Sequence, residues 1–237
     1  MTISIQTIKE GGLKKLTSLQ VNVQVKSKKR VSDHGEVFTS DREVNAMLDL
    51  VKQETERIDS RFLEPACGTG NFLVEILKRK LAVVKNKYRK VKLEYERYAI
   101  VAVSSIYGID ILEDNTEVCR QRLFDIFYKE YKTLFKENCN DSCLKSVKYI
   151  LERNILTGDA LTLKTVDGKK PITFSEWTVV NGSMIKQRDY TLENLLESQP
   201  IDIPNLFSDL GEKVFIPTPI KEFPLTHFLK LAYEVAD

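Results

Sequence analysis

The stretch Leu63-Glu64-Pro65-Ala66-Cys67-Gly68-Thr69-Gly70-Asn71-Phe72 separates two different hydrophobic rhythms. Before it, Arg61 to Pro65 reads as a short strand. After it, Phe72, Leu73, Ile76 and Leu77 recur at helical spacing. Strand, glycine-bearing turn and helix make up the opening of a βα unit. In open α/β sheets such a turn lies at the carboxyl edge, where ligands bind. Gly68 and Gly70 allow a tight turn and let the backbone approach a ligand closely. The N-terminus of the following helix offers free N–H groups to a ligand's carboxylate.

The same alternation continues in both directions. Upstream, Leu19, Val21, Val23 and Val25 alternate with polar residues and predict a strand, followed by a loop from Lys26 to Thr39. Ser40-Asp41-Arg42-Glu43 has the form of a capping box, and Val44, Met47, Leu48 and Val51 then share one helical face. Downstream, Leu93 to Ala102 reads as helix and Ser105 to Ile111 as a strand ending at Asp110. Asp114 or Asn115 is expected to cap a helix carrying Val118, Leu123, Ile126, Phe127 and Tyr131. Ser142 to Arg153 reads as another helix and Ile155 to Thr157 as a strand ending at Gly158-Asp159. Strands alternating with helices predict an α/β fold with a mostly parallel sheet and right-handed crossovers.

Composition fits that class. The chain has 237 residues, of which 42% are hydrophobic and 30% charged, as in a soluble globular domain. The apolar run Tyr98 to Val103 is too short to span a bilayer, and the first residues lack a signal-peptide core, so no membrane role and a cytoplasmic location are expected. Four cysteines without a secretion signal read as free thiols. Cys139 and Cys143 lack the second ligand pair that a structural zinc site needs, so no metal is expected. Net charge is only +2. The basic residues cluster, however, with eight between Lys78 and Lys92 and four more at Lys26, Lys28, Lys29 and Arg30. Such runs suit phosphate contact, but more often they are solvated helix ends.

Three further segments accompany the glycine turn. Ile106-Tyr107-Gly108-Ile109-Asp110 places an acid at the end of the second strand, where it can accept ribose hydroxyls. Ile155-Leu156-Thr157-Gly158-Asp159-Ala160-Leu161 ends the third strand. His34-Gly35-Glu36-Val37-Phe38-Thr39-Ser40 precedes them all. The glycine turn closely resembles the first motif of class I methyltransferases, and its Asn-Phe ending resembles the DNA adenine-methylating branch. The four segments stand in the order found in the N6-adenine DNA methyltransferases of restriction-modification systems.

That resemblance implies a Rossmann-like sheet and S-adenosylmethionine as cofactor. It implies cofactor contacts from Phe38, Thr39, Glu64, Pro65, Ala66, Cys67, Gly68, Gly70, Asn71, Phe72, Asp110, Ile111, Asp159 and Ala160. Asp110 would take the ribose, Ile111 would lie against the adenine, and Asp159 would accept from its amino group. Thr39 and its neighbours would meet the methionine part. The family usually has Pro where this chain has Ser40, and either suits a helix start. The implied organisation is one methyltransferase-like domain: an N-terminal extension over 1–33, a cofactor-binding core over 34–161 and an atypical part over 162–237.

The pattern breaks after Asp159. The family carries an Asn/Asp-Pro-Pro-Tyr/Phe motif that grips a flipped adenine. No such string follows, and the chain has no Pro-Pro pair. The fourth strand is expected over Pro171 to Val180, where Ser175-Glu176-Trp177 stands at about the motif's place. These three are the candidate catalytic residues, against the reading of Trp177 and Phe174 as core or hairpin residues. Asn181-Gly182, between two strand-like runs, predicts a β-hairpin over Thr173 to Tyr190.

Only 78 residues follow Asp159, so the sheet is expected to be incomplete or to carry the hairpin as an addition. The leading function is a DNA adenine-N6 methyltransferase, or the methylation subunit of a restriction-modification system. It would act on duplex DNA, with another subunit supplying target recognition or catalytic residues. The alternatives are a catalytically silent cofactor- or DNA-binding subunit and a methyltransferase acting on RNA or protein.

Overall fold

The computed structural model describes Arg30, residues 39–196 and residues 217–233. The strand expected at Leu19–Val25 and the His34–Phe38 part of the upstream motif lie outside the described residues.

Helix α1 (Asp41–Asp49) begins at the expected capping box. Ser40 accepts from the Glu43 N–H, and the Glu43 carboxylate accepts from the Ser40 N–H at 3.1 Å. Val44 and Leu48, one turn apart, are buried, whereas Met47 and Val51 are about half exposed. The apolar stripe is narrower than expected because this short helix packs on α3 through that single row. A one-turn helix α2 (Lys52–Thr55) leads into β1 (Phe62–Glu64).

Each crossover of the parallel sheet carries two helices. From β1 the chain runs through α3 (Asn71–Tyr88) and α4 (Lys92–Ser104) to β2 (Ile106–Asp110). From β2 it runs through α5 (Glu113–Phe135) and α6 (Asp141–Asn154) to β3 (Ile155–Thr157). The three strands lie in the order β1-β2-β3, with Phe62 opposite Ile106 and Gly108 opposite Ile155. In central β2 the four residues 106–109 are all buried, as in a strand covered on both faces, and only Asp110 at its end is partly exposed. Gly108 is required there. A Cβ would stand 2.9 Å from Leu73 Cδ1 and 3.0 Å from Cys67 Sγ.

The expected fourth strand is not part of this sheet. β4 (Thr173–Asn181) and β5 (Met184–Thr191) form an antiparallel hairpin. A short helix α7 (Leu192–Leu196) follows, and the small strands β6 (Lys221–Glu222) and β7 (Thr226–His227) pair with β5. The hairpin sheet covers the face of the parallel sheet that carries Tyr107 and Ile109, through Ile172, Phe174 and Leu192. Its turn lies one residue later than expected. Asn181 pairs with Met184, so Gly182 and Ser183 form the turn, and only Gly182 has a positive φ (56°). A bulge between Val179 and Asn181 shifts the register by that one step.

Lys80 is fully buried on α3. Its ammonium donates to the carbonyls of Ile58 and Ser60 and to Ser105 Oγ at 2.5 Å, and it lies over the Phe62 ring. It thereby fastens the loop before β1 and the end of α4 to α3. Burial lowers its pKa to about 7. The folded state therefore binds fewer protons than the unfolded state above that value, and stability rises with pH from about 7. Below it, the ammonium is charged in both states and the folded state bears the full cost of burying it. Above about pH 9 the buried Cys67 and Cys143 thiols, whose pKa values are raised, act with the opposite sign as their unfolded counterparts ionise. Urea unfolding between pH 6.5 and 8.5 is expected to show the rise, and Lys80→Met to abolish it. The same slope in both proteins would contradict this assignment.

Candidate functional site

The ends of β1, β2 and β3 bring together the segments singled out in the sequence. Cys67 N–H donates to the Ile109 carbonyl at 2.8 Å, which ties the glycine turn to β2. Gly68 (φ 52°) and Gly70 (φ 87°) both take the left-handed conformation. The Gly68 N–H donates to Asp110 Oδ2 at 2.8 Å, and Gly158 N–H donates to the Asp110 carbonyl at 3.0 Å. Asp110 is thus joined to the first motif on one side and to the third on the other.

The Asp110 carboxylate has more partners than a ribose-binding role alone would give it. Its Oδ1 accepts from Leu112 N–H at 2.9 Å and from Asn115 Nδ2 at 3.2 Å. This corrects the expected helix cap. Neither Asp114 nor Asn115 caps α5. The N-cap position falls on Leu112, without a side-chain bond, and Asp110 accepts from its N–H instead. With about four lone-pair sites on a carboxylate and three in use, at most one remains before a ribose must displace a bond.

Gly70 is the N-cap of α3 and has no side chain, and among the described residues no side chain caps that helix. Its first-turn N–H groups therefore lack a side-chain acceptor among the described residues, which suits a ligand carboxylate. Glu64 ends β1, and its carboxylate accepts from Ala66 N–H at 3.3 Å within the Pro65-Ala66 bend. Ile111 is 44% exposed at the same edge and offers an apolar surface. Phe72 turns inward and packs against the core. Asp159 Oδ1 accepts from Leu161 N–H at 2.9 Å, as in an ordinary Asp turn, and Ala160 packs on the second apolar cluster. Phe38 lies outside the described residues, but the Thr39 carbonyl accepts from Asn71 Nδ2 at 2.9 Å.

Beneath the turn, Cys67 and Cys119 lie in contact. A hydrogen bond with Cys119, together with burial, raises the Cys67 thiol pKa, so it is a neutral packing group and not a nucleophile. All four cysteines are free.

Ser175, Glu176 and Trp177 stand away from these residues, on the hairpin. Trp177 is buried, with Nε1 donating to Asn154 Oδ1 at 2.9 Å and its ring edge-on to Tyr149. Ser175 Oγ donates to Asp189 Oδ1 at 2.6 Å and accepts from Gln187 Nε2 at 3.0 Å. Glu176 is 2.6 Å from Arg61 and 3.7 Å from Arg188. Ser175 and Glu176 do line a groove of about 640 Å³ with Arg61, Leu63, Tyr107 and Tyr190, but no residue of the glycine turn takes part in it. A second hollow of about 680 Å³, by Arg57, Arg97 and Gly182, is equally separate from the turn. Volume and chemistry therefore point to different places, and the donor–acceptor set favours the turn.

The basic run is largely committed to internal contacts. Lys78 pairs with Glu75, Arg79 with Asp49 and Glu75, and Lys85 with Glu130. Lys87, Arg89 and Lys90 sit at the far end of α3, about 25 Å along its axis from Gly70. Among the described residues, no helix is long and apolar enough to cross a membrane.

The arrangement defines an α/β protein with a ligand-binding turn at the carboxyl edge of a parallel sheet. Residues 38–175 match the family described as the DNA-methyltransferase domain of MmeI, and the chain belongs to that family of restriction-modification methyltransferases. A putative type II restriction enzyme and methyltransferase of Methanocaldococcus jannaschii is 26% identical over 133 residues. That match covers 53% of this chain and 11% of the relative, so the chain spans only a small part of that protein's length. No solved structure matches the chain.

Proposed function

We propose that this chain binds S-adenosylmethionine at the Glu64–Phe72 turn, as the cofactor-holding part of a cytoplasmic DNA adenine-N6 methyltransferase of a restriction-modification system. The observation that carries this reading is the 2.8 Å bond from Gly68 N–H to Asp110 Oδ2. It ties the glycine turn to the acid at the end of β2, so that both lie at one place on the carboxyl edge of the sheet. Asp110 accepts from the ribose through its one remaining lone-pair site, Ile111 covers the adenine, and the start of α3 receives the carboxylate. When bound, S-adenosylmethionine supplies an electrophilic methyl group; the chain's own residues bind and orient it.

The rest of the reaction belongs to another polypeptide segment that grips duplex DNA and polarises the adenine amino group. Two observations support this. Trp177 is buried, and β1 pairs with β2 alone among the described residues, leaving its other edge open to a further strand.

Titration calorimetry with S-adenosylmethionine tests the proposal. The wild type is expected to bind, and Asp110→Ala to weaken binding by about 1–3 kcal/mol, the cost of leaving a ribose hydroxyl unpaired. Asp110→Asn, which keeps one acceptor, should fall between them. No binding by the wild type, or equal binding by Asp110→Ala, would refute it.

A further inference from the structure

We infer that Arg122 is a positioning residue for this site, acting through Asn71 to hold the Thr39 segment against the glycine turn. The inference rests on the proposed binding of S-adenosylmethionine at that turn. Arg122 lies within α5 and has a part-buried side chain that reaches across to the turn. Its Nη1 donates to the Thr69 carbonyl at 2.7 Å, to Thr69 Oγ1 at 3.1 Å and to Asn71 Oδ1 at 2.8 Å. Asn71 is the first residue of α3, and its Nδ2 donates to the Thr39 carbonyl at 2.9 Å.

The chemistry allows this relay to run only one way. A guanidinium has donors and no acceptor, and a backbone carbonyl accepts only. The Asn71 amide must therefore turn its oxygen to Arg122 and its nitrogen to Thr39. Aspartate at 71 keeps the bond from Arg122 but sets a second acceptor against the Thr39 carbonyl. Alanine at 122 leaves Thr69 and Asn71 free to turn. Either change releases Thr39, and neither touches the Gly68–Asp110 bond at the ribose end. Arg122 and Asn71 thus govern the part of the site that meets the methionine portion of the ligand, separately from the part that meets the nucleoside.

Two ligands separate these parts. S-adenosylmethionine carries both portions, whereas 5′-methylthioadenosine keeps the nucleoside and sulfur and lacks the amino-acid portion. In calorimetry on the full chain, Arg122→Ala and Asn71→Asp are each expected to weaken S-adenosylmethionine by about 10- to 100-fold, the effect of losing a charge-assisted bond or its relay. Affinity for 5′-methylthioadenosine should stay within about twofold on the same reasoning. Arg122→Lys should recover part of the loss, because one of the bonds can be remade. Thermal melting of each variant checks that it is folded. A general loosening of the fold would weaken both ligands alike, and that result, or unchanged affinity for S-adenosylmethionine, overturns the inference while the cofactor reading stands. Failure of the wild type to bind S-adenosylmethionine overturns the cofactor reading and the inference with it.

Discussion

The purified chain, given labelled S-adenosylmethionine and adenine-containing duplex DNA, is expected to transfer no methyl group above background. Binding a cofactor lowers no barrier by itself; the adenine must be extruded and its amino group polarised in the transition state. The N6-adenine methyltransferases that the sequence motifs resemble do so with a rigid polar-Pro-Pro-aromatic loop, and the chain has no Pro-Pro pair. The segment expected there is β4, whose only tryptophan is bonded to Asn154 and packed on Tyr149. The missing factor is large, because enzymes supply at least about 10⁶-fold over the uncatalysed reaction. Trp177→Ala supplies the companion measurement. Truncating a buried aromatic should cost about 3–5 kcal/mol in urea unfolding. A tryptophan that stacked on a base would instead be removable with little loss of stability. Robust adenine labelling by the chain alone would restore Ser175-Glu176-Trp177 as a variant catalytic motif.

Gly70→Ala is expected to be the most damaging single methyl group that can be added to the turn. The added Cβ would stand 2.5 Å from Cys119 Sγ and 3.6 Å from Cys119 Cα, at a φ of +87°. Overpacking costs about 1–3 kcal/mol, and the left-handed conformation about 1 kcal/mol more. The loss should therefore be about 2–4 kcal/mol in urea unfolding. Cys119→Ala in the same chain opens the space taken by the sulfur and should return the steric share, leaving the backbone share in place. Such coupling between touching residues is measurable at about 0.5–3 kcal/mol. Additive losses in the double variant would mean that the turn rests against something other than Cys119.

Local signals gave the elements of the fold more reliably than their neighbours in space. The capping box at Ser40–Glu43 and the apolar run of β2 depend on short-range bonding and burial, and both stand as read. The cap of α5 was misplaced because the acceptor came from Asp110, which ended the previous strand. The hairpin was legible in its two β-prone runs, but its turn was not, since the bulge before Asn181 moves the pairing by one residue. That the hairpin forms a second sheet against Tyr107 and Ile109 was beyond pattern reading, because alternation says which side of a strand is apolar and not what covers it. The glycine turn and Asp110 stand out as candidates by residue type and by their place at strand ends, whereas Asp159 does so only through the family resemblance. Arg122 does not, since an arginine inside an amphipathic helix reads as a solvated charge until its reach to Thr69 and Asn71 is seen.

The hairpin's position also bears on how the chain is made. A ribosome releases the parallel sheet and its four crossover helices first, because they precede Thr173 in the chain. Until Ile172, Phe174 and Leu192 emerge, the face of β2 bearing Tyr107 and Ile109 lacks most of its cover among the described residues. The hairpin itself closes through a two-residue turn in microseconds once it is free, so the interval is set by the pace of synthesis and not by the speed of folding. For the seconds that elongation takes, the nascent chain carries a partly covered apolar face on β2, and it is in that interval that a holding chaperone has something to hold.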